Sequence, residues 1–219
     1  ADANGDIGNV SRNSGANLAP VNIATSQFTA SPTANIEIGI NLPAGATEAG
    51  STTGAFAMSI EYFDNLGRPQ TMRMEFTPQV PATGASNTWS VQMFDDAGDP
   101  TVSLGQLDIV FNDTTAAGGR IDSVVASNGA TYDATTGRFN INLAHGPVDV
   151  FIGRPGEREG MTQLAAPFSP TSVTKDGAPI GDLQTVEIDT TGNLQAIYNT
   201  GFRRTLFQIP VGDVPNLDG

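Results

Sequence analysis

In four separate stretches of this chain, apolar residues fall at every second position. Ile36, Ile38, Ile40 and Leu42 alternate with Glu37, Gly39 and Asn41. Phe56, Met58, Ile60 and Tyr62 alternate with Ala57, Ser59 and Glu61, and Met72, Met74 and Phe76 with Thr71, Arg73 and Glu75. Trp89, Val91 and Met93 repeat the pattern. Successive side chains of an extended strand point to opposite faces, so this spacing gathers one apolar face on a sheet, whereas a helix gathers residues three and four apart. The segments between them are turns. Asp64-Asn65-Leu66-Gly67 places an aspartate where early turn amides need an acceptor and a glycine where the backbone turns left-handed, and Asp95-Asp96-Ala97-Gly98 closes the last of these strands.

The same reading predicts strands at residues 106–111, 120–125, 138–143 and 148–152. A closing hairpin follows, 183–189 and 194–198 around Thr190-Thr191-Gly192-Asn193, with a last strand at 205–211. Residues 1–27 read as irregular, with a short strand at 18–23. Residues 153–182 carry Gly153, Pro155, Gly156, Gly160 and Pro167 and read as a return linker. No amphipathic helix emerges. About ten short strands separated by turns imply an all-β fold built from β-sandwich or barrel-like domains.

Composition agrees and narrows function. Asp outnumbers Glu 16 to 7, Gly numbers 25 and Pro 14, and Lys175 is the one lysine, a balance that favours turns over helices. With no cysteine, disulfides, thiolate metal sites and cysteine nucleophiles are excluded. One histidine, His145, excludes a multi-histidine metal centre. A net charge of −13 argues against nucleic acid and anionic membrane as partners. No apolar run approaches the roughly 18 residues of a membrane span, and no signal peptide is visible.

Candidate chemistry is sparse. His145 lies in Ala-His-Gly-Pro, and a general base would need an orienting carboxylate; Asp149 is near only in sequence, so a hydrogen-bonded or exposed turn histidine is expected. Asp95, Asp96 and Asp99 form an oxygen-rich turn without the glutamate of an EF-hand, which favours turn chemistry over Ca²⁺. Glu37, Glu61 and Glu75 fall on predicted solvent faces, so no carboxylate pair suits glycoside hydrolysis. Trp89 is in phase with Val91 and Met93 and is expected in the core, not as a sugar platform. The paired Arg203 and Arg204 read either as a solvated strand end or as an intersubunit contact with an acidic neighbour. No catalytic, cofactor or metal residue is assigned.

Several of these segments resemble the bacterial flagellar hook protein family. Glu61-Tyr62-Phe63-Asp64-Asn65-Leu66-Gly67 with residues 71–76 is similar to its hairpin, and Asn87-Thr88-Trp89-Ser90-Val91 to the strand that follows. Residues 106–112 resemble the next strand, with the usual Asp-x-x-Gly turn loosened to residues 112–118. The strongest likeness is at 180–219. There Gly181-Asp182-Leu183, Val186-x-Ile188-Asp189-x-x-Gly192, Tyr198-Asn199-x-Gly201, Leu206-x-Gln208-Ile209 and Asn216-Leu217-Asp218-Gly219 occur in the family's order. That final segment is shared with related axial proteins such as the distal rod.

The resemblance implies a middle β-barrel or sandwich domain at residues 29–177, inserted into a small β-domain made of 1–28 plus 178–219. Composition adds a hinge at the double connection between them: Ser31-Pro32 lies on the way out and Pro167, Pro170, Gly177 and Pro179 on the return, and proline removes the donors that would continue a sheet across the boundary. The resemblance further implies a structural, non-enzymatic subunit that polymerises with itself into a flexible helical tube, the universal joint that carries motor torque to the filament. Implied partners are the hook cap, distal rod and hook–filament junction proteins. The implied location is the extracellular flagellum next to the basal body, reached by export of the unfolded chain without a cleaved signal peptide. The family's terminal helices have no counterpart in residues 1–219, so a monomeric core fragment without a cofactor is expected. An extracellular β-sandwich module that binds carbohydrate is the alternative.

Overall fold

A computed structural model describes residues 28–209. The chain divides into two compact units, one formed by Ser31–Gly177 and the other by Ala1–Ala30 with Ala178–Gly219. The described residues contain strands, one 3-10 turn at Ala44–Thr47, and no α-helix.

In the Ser31–Gly177 unit, five strands run as an antiparallel meander: β3 (Phe56–Phe63), β4 (Pro69–Pro78), β5 (Thr88–Asp95), β6 (Gly105–Phe111) and β7 (Ile121–Ser127). Register follows the apolar alternation. Met58 lies opposite Met74, Met74 opposite Met93, Phe76 opposite Val91 and Val91 opposite Leu107. A slip of one residue would turn every one of these side chains to water.

The second sheet is centred on β2 (Asn35–Pro43), which has partners on both edges. On one edge β10 (Gly146–Phe151) runs parallel to it and continues through β9 (Arg138–Leu143) to β8 (Thr131–Asp133). Further along that edge β11 (Thr162–Leu164) runs parallel to residues 41–43, and the opposite edge is taken by β12 (Ser169–Lys175), antiparallel. The β12 ladder carries a bulge between Pro170 and Ser172 beside Gly39, where an added Cβ would lie 2.6 Å from Thr171 Oγ1 and 2.7 Å from Ser172 Oγ. A larger residue there would push the Thr171 and Ser172 side chains aside, and the bulge accommodates the missing amide of Pro170.

One core lies between these two sheets. Ile36, Ile38, Ile40 and Leu42 meet Met58, Ile60, Met72, Met74, Phe76, Trp89 and Val91, together with Phe139, Ile141, Val148 and Val150. Trp89 is fully buried, as its phase in β5 predicts. In the other unit, β1 (Phe28–Ser31), β13 (Ala178–Ile188), β14 (Asn193–Tyr198) and β15 (Arg203–Gln208) form a four-stranded sheet in that order. Leu194, Ala196 and Tyr198 alternate on its buried face.

Three expectations need correction or restriction. The stretch read as a linker, 153–182, contains β11, β12 and the start of β13. Six of the seven residues of β12 are exposed, so it has no buried face to impose a period-two pattern. The three-residue β8 was too short to detect. The predicted strand at 18–23 and the end of the one at 205–211 lie outside the described residues.

Candidate functional site

A buried polar cluster of the Ser31–Gly177 unit lies where β3 and β5 end. Alternation turns Tyr62 inward and leaves it fully buried, where its hydroxyl needs a partner. It donates to Asp95 Oδ1 at 2.7 Å. The Ala97 amide donates to the same oxygen at 3.0 Å, and the Ala144 amide donates to Asp95 Oδ2 at 2.7 Å. One carboxylate thus joins β3, the turn after β5 and the turn between β9 and β10. Burial, and then the Asp95 carboxylate beside it, push the Tyr62 phenol well above its ordinary value.

His145 stacks on Tyr62 with ring centroids 4.8 Å apart. Its Nε2 lies 2.8 Å from the Thr33 carbonyl oxygen, which only accepts, so Nε2 carries the proton. Nδ1 is buried without a hydrogen-bond partner. Asn65 Nδ2 donates to the His145 carbonyl at 2.9 Å. Beside the histidine is an open concavity of about 340 Å³, lined in part by Asp64, Asn65, Arg68 and Gln70. Asp64 accepts from the amides of Leu66 and Arg68 and from the Arg68 and Gln70 side chains. The Arg68 amide, then the Leu66 amide and the Arg68 side chain, hold its carboxyl at about 2. These groups serve one another, and the arrangement positions backbone; it sets up no nucleophile beside a base.

A second buried network ties the sheets together. Trp89 Nε1 donates to Gln163 Oε1 at 2.9 Å, and Gln163 Nε2 donates to Asn87 Oδ1 at 2.9 Å. Gln163 lies on β11, within the stretch read as a linker, and no sequence signal links it to Trp89.

The residues singled out from sequence are dispersed. Asp95 turns inward, whereas Asp99 accepts from the Thr101 amide and hydroxyl at 2.9 and 2.6 Å, so the acidic turn does not converge on a point. Among the described residues no group of three or more His, Cys, Asp or Glu is placed to hold a metal ion. Glu37, Glu61 and Glu75 each pair with a base, Arg138 at 2.7 Å, Lys175 at 2.6 Å and Arg73. Arg203 and Arg204 are exposed at the start of β15, opposite Ile197 and Ala196 of β14, and form no ion pair among the described residues. No helix of the described residues is long and apolar enough to cross a membrane.

Comparison with known proteins adds a family. The model of the flagellar basal body protein FlaE D2 domain matches residues 32–178. The flagellar hook proteins FlgE of Brucella abortus biovar 1 and Brucella melitensis biotype 1 are each 26% identical over 194 residues, covering 82% of this chain and 44% of theirs. That of Brucella suis biovar 1 is 26% identical over 190 residues, covering 80% and 43%. The chain therefore spans less than half the length of these curated relatives. The flagellar hook protein FlgE2 of Helicobacter pylori, a crystal structure, aligns with 71% of this chain and 32% of its own, at 12% identity and a TM-score of 0.46.

Proposed function

Since the chain belongs to the family of the flagellar basal body protein FlaE D2 domain, we propose that it is the core of a structural, non-enzymatic subunit of the bacterial flagellar hook. The match over residues 32–178 carries the reading, because it takes in nearly the whole Ser31–Gly177 unit. In this reading the subunit polymerises with copies of itself into the flexible tube outside the cell, and meets cap, distal rod and hook–filament junction proteins at its ends. Such a tube needs heterologous contacts that do not close on themselves. It leaves the cell without a cleaved signal peptide. Residues 29–177 act as the outer domain and 1–28 with 178–219 as the inner one, with bending at the double connection. The relatives' printed names favour this over a carbohydrate-binding module.

Antibodies raised against residues 1–219 test the assignment. They should label the short segment between basal body and filament in isolated flagella, and label confined to any other structure refutes it. Residues 1–219 alone should stay monomeric in light scattering. Arg203 and Arg204 are proposed to meet an acidic surface of a neighbouring copy. Reversing both charges in the full-length protein should block polymerisation without loss of folded signal, and normal polymerisation refutes that contact.

A further inference from the structure

The chain passes between its two units twice, and the passages are neighbours. The incoming strand leaves β1 at Ser31 and joins β2 at Asn35, and the outgoing strand leaves β12 at Lys175 and joins β13 at Ala178. β2 and β12 are antiparallel partners up to the pair Ile36 and Lys175, and β1 lies beside β13. Between these two ladders lie only Pro32, Thr33 and Ala34 on one strand and Asp176 and Gly177 on the other.

The ladder has no further strand partner for the amides there, and one carboxylate takes them. Asp176 Oδ1 accepts from the backbone amides of Ala34 at 2.9 Å and Asn35 at 3.0 Å, and Oδ2 accepts from Asn35 Nδ2 at 2.8 Å. The Asp176 amide donates back to the Asn35 carbonyl at 3.2 Å. Hydrogen bonds to an ionised carboxylate are roughly twice as strong as neutral ones. At the next position the backbones touch: a Cβ on Gly177 would lie 2.0 Å from Thr33 Oγ1 and 2.9 Å from Thr33 Cα.

Both strands are also tied to the body of the unit. Thr33 exchanges bonds with Phe63, its amide to the Phe63 carbonyl at 2.9 Å and its Oγ1 from the Phe63 amide at 3.0 Å, and its carbonyl accepts from His145. Lys175 lies over the Phe63 ring at 4.3 Å and donates to the Glu61 carbonyl at 3.0 Å as well as pairing with its carboxylate.

We propose that Asp176 fastens the incoming and outgoing strands into one two-stranded stem, so that motion between the units turns about a single pivot at Pro32 and Gly177–Ala178. Two free single strands would each rotate about their own backbone dihedrals and could splay apart. An antiparallel pair whose free ends emerge on the same side opens one bond at a time when those ends diverge, and the Asp176 carboxylate occupies the first position to open. Pro32 fixes φ and offers no amide, which keeps the ladder from running on through the pivot. The stem goes beyond the hook assignment and stands whether or not the chain polymerises.

Hydrogen exchange and spin-label distances on residues 1–219 test it. Asp176→Asn should speed exchange of the Ala34 and Asn35 amides at least tenfold and leave Ile38 and Ile40 unchanged. With labels at Thr52→Cys and Thr190→Cys in the cysteine-free chain, Asp176→Asn and Asp176→Ala should broaden the distance distribution between the units. Asn35→Ala, which removes one of the three bonds, should have a smaller effect. Unchanged exchange at Ala34 and Asn35 in Asp176→Asn overturns the stem. So does faster exchange spread over all of β2, which would make Asp176 a stabiliser of the whole unit, and so does an unbroadened distribution in whichever Asp176 variant keeps native Trp89 emission.

Discussion

Trp89→Ala should come close to unfolding the Ser31–Gly177 unit. The side chain is fully buried in the core, its ring 6.0 Å from that of Phe56, which itself stacks on Phe168 at 4.8 Å. Truncating a buried aromatic costs about 3–5 kcal/mol in transfer and cavity terms. The indole also donates to Gln163, which is 6% exposed, and an orphaned buried acceptor adds about 1–3 kcal/mol. Together the loss is roughly 4–8 kcal/mol, set against a typical total of about 5–15 kcal/mol for a domain. Urea denaturation followed by circular dichroism measures the loss, since the variant has no tryptophan to report. Gln163→Ala alone should cost less, and a cycle of the two single variants and the double should give a coupling of about 0.5–3 kcal/mol. A loss below about 2 kcal/mol for Trp89→Ala, or wild-type emission typical of an indole in water, refutes the packing described here.

His145→Ala should cost about 1–2 kcal/mol in thermal melts, from one hydrogen bond and one ring contact; a loss beyond about 4 kcal/mol would mean the ring supports more than Thr33 and Tyr62. Asp64 has a folded pKa of about 2 against the usual 3.8, so its stabilisation is complete above pH 4 and disappears as pH falls through 2. Amide shifts of Gly67 and Arg68 should report that titration near pH 2, and a midpoint near 4 contradicts the turn geometry. Gly177→Ala should destabilise the unit, because its Cβ cannot coexist with Thr33 in place; an unchanged urea midpoint would show that the strands move apart freely.

The parts of the fold legible in sequence are those with one dry and one wet face. β2 through β6 have apolar residues on the dry face, and Ile36, Met74, Trp89 and Leu107 lie where alternation places them. The outer edge strand β12 was illegible because both of its faces meet water, and its proline suggested a linker, not a bulge. Turn aspartates were legible as turn-formers, and Asp64, Asp95 and Asp99 accept local amides. Asp176 was not, because its acceptor role depends on amides 141 and 142 positions earlier, a separation that local patterning does not register.

The pairing of β2 also sets the order in which the Ser31–Gly177 unit can assemble as its chain becomes available from the amino end. The meander from β3 to β7 joins sequence neighbours through short turns, so it can form as soon as it appears. β2 comes earlier in sequence, yet its partners begin at β10, with Asn35 opposite Asp149, and end with Ile36 opposite Lys175. Ile36, Ile38, Ile40 and Leu42 therefore wait, without a ladder, until more than a hundred further residues have arrived. A chain threaded out of a narrow passage would stay unable to complete this sheet, and with it the core between the two sheets, until β12 emerged.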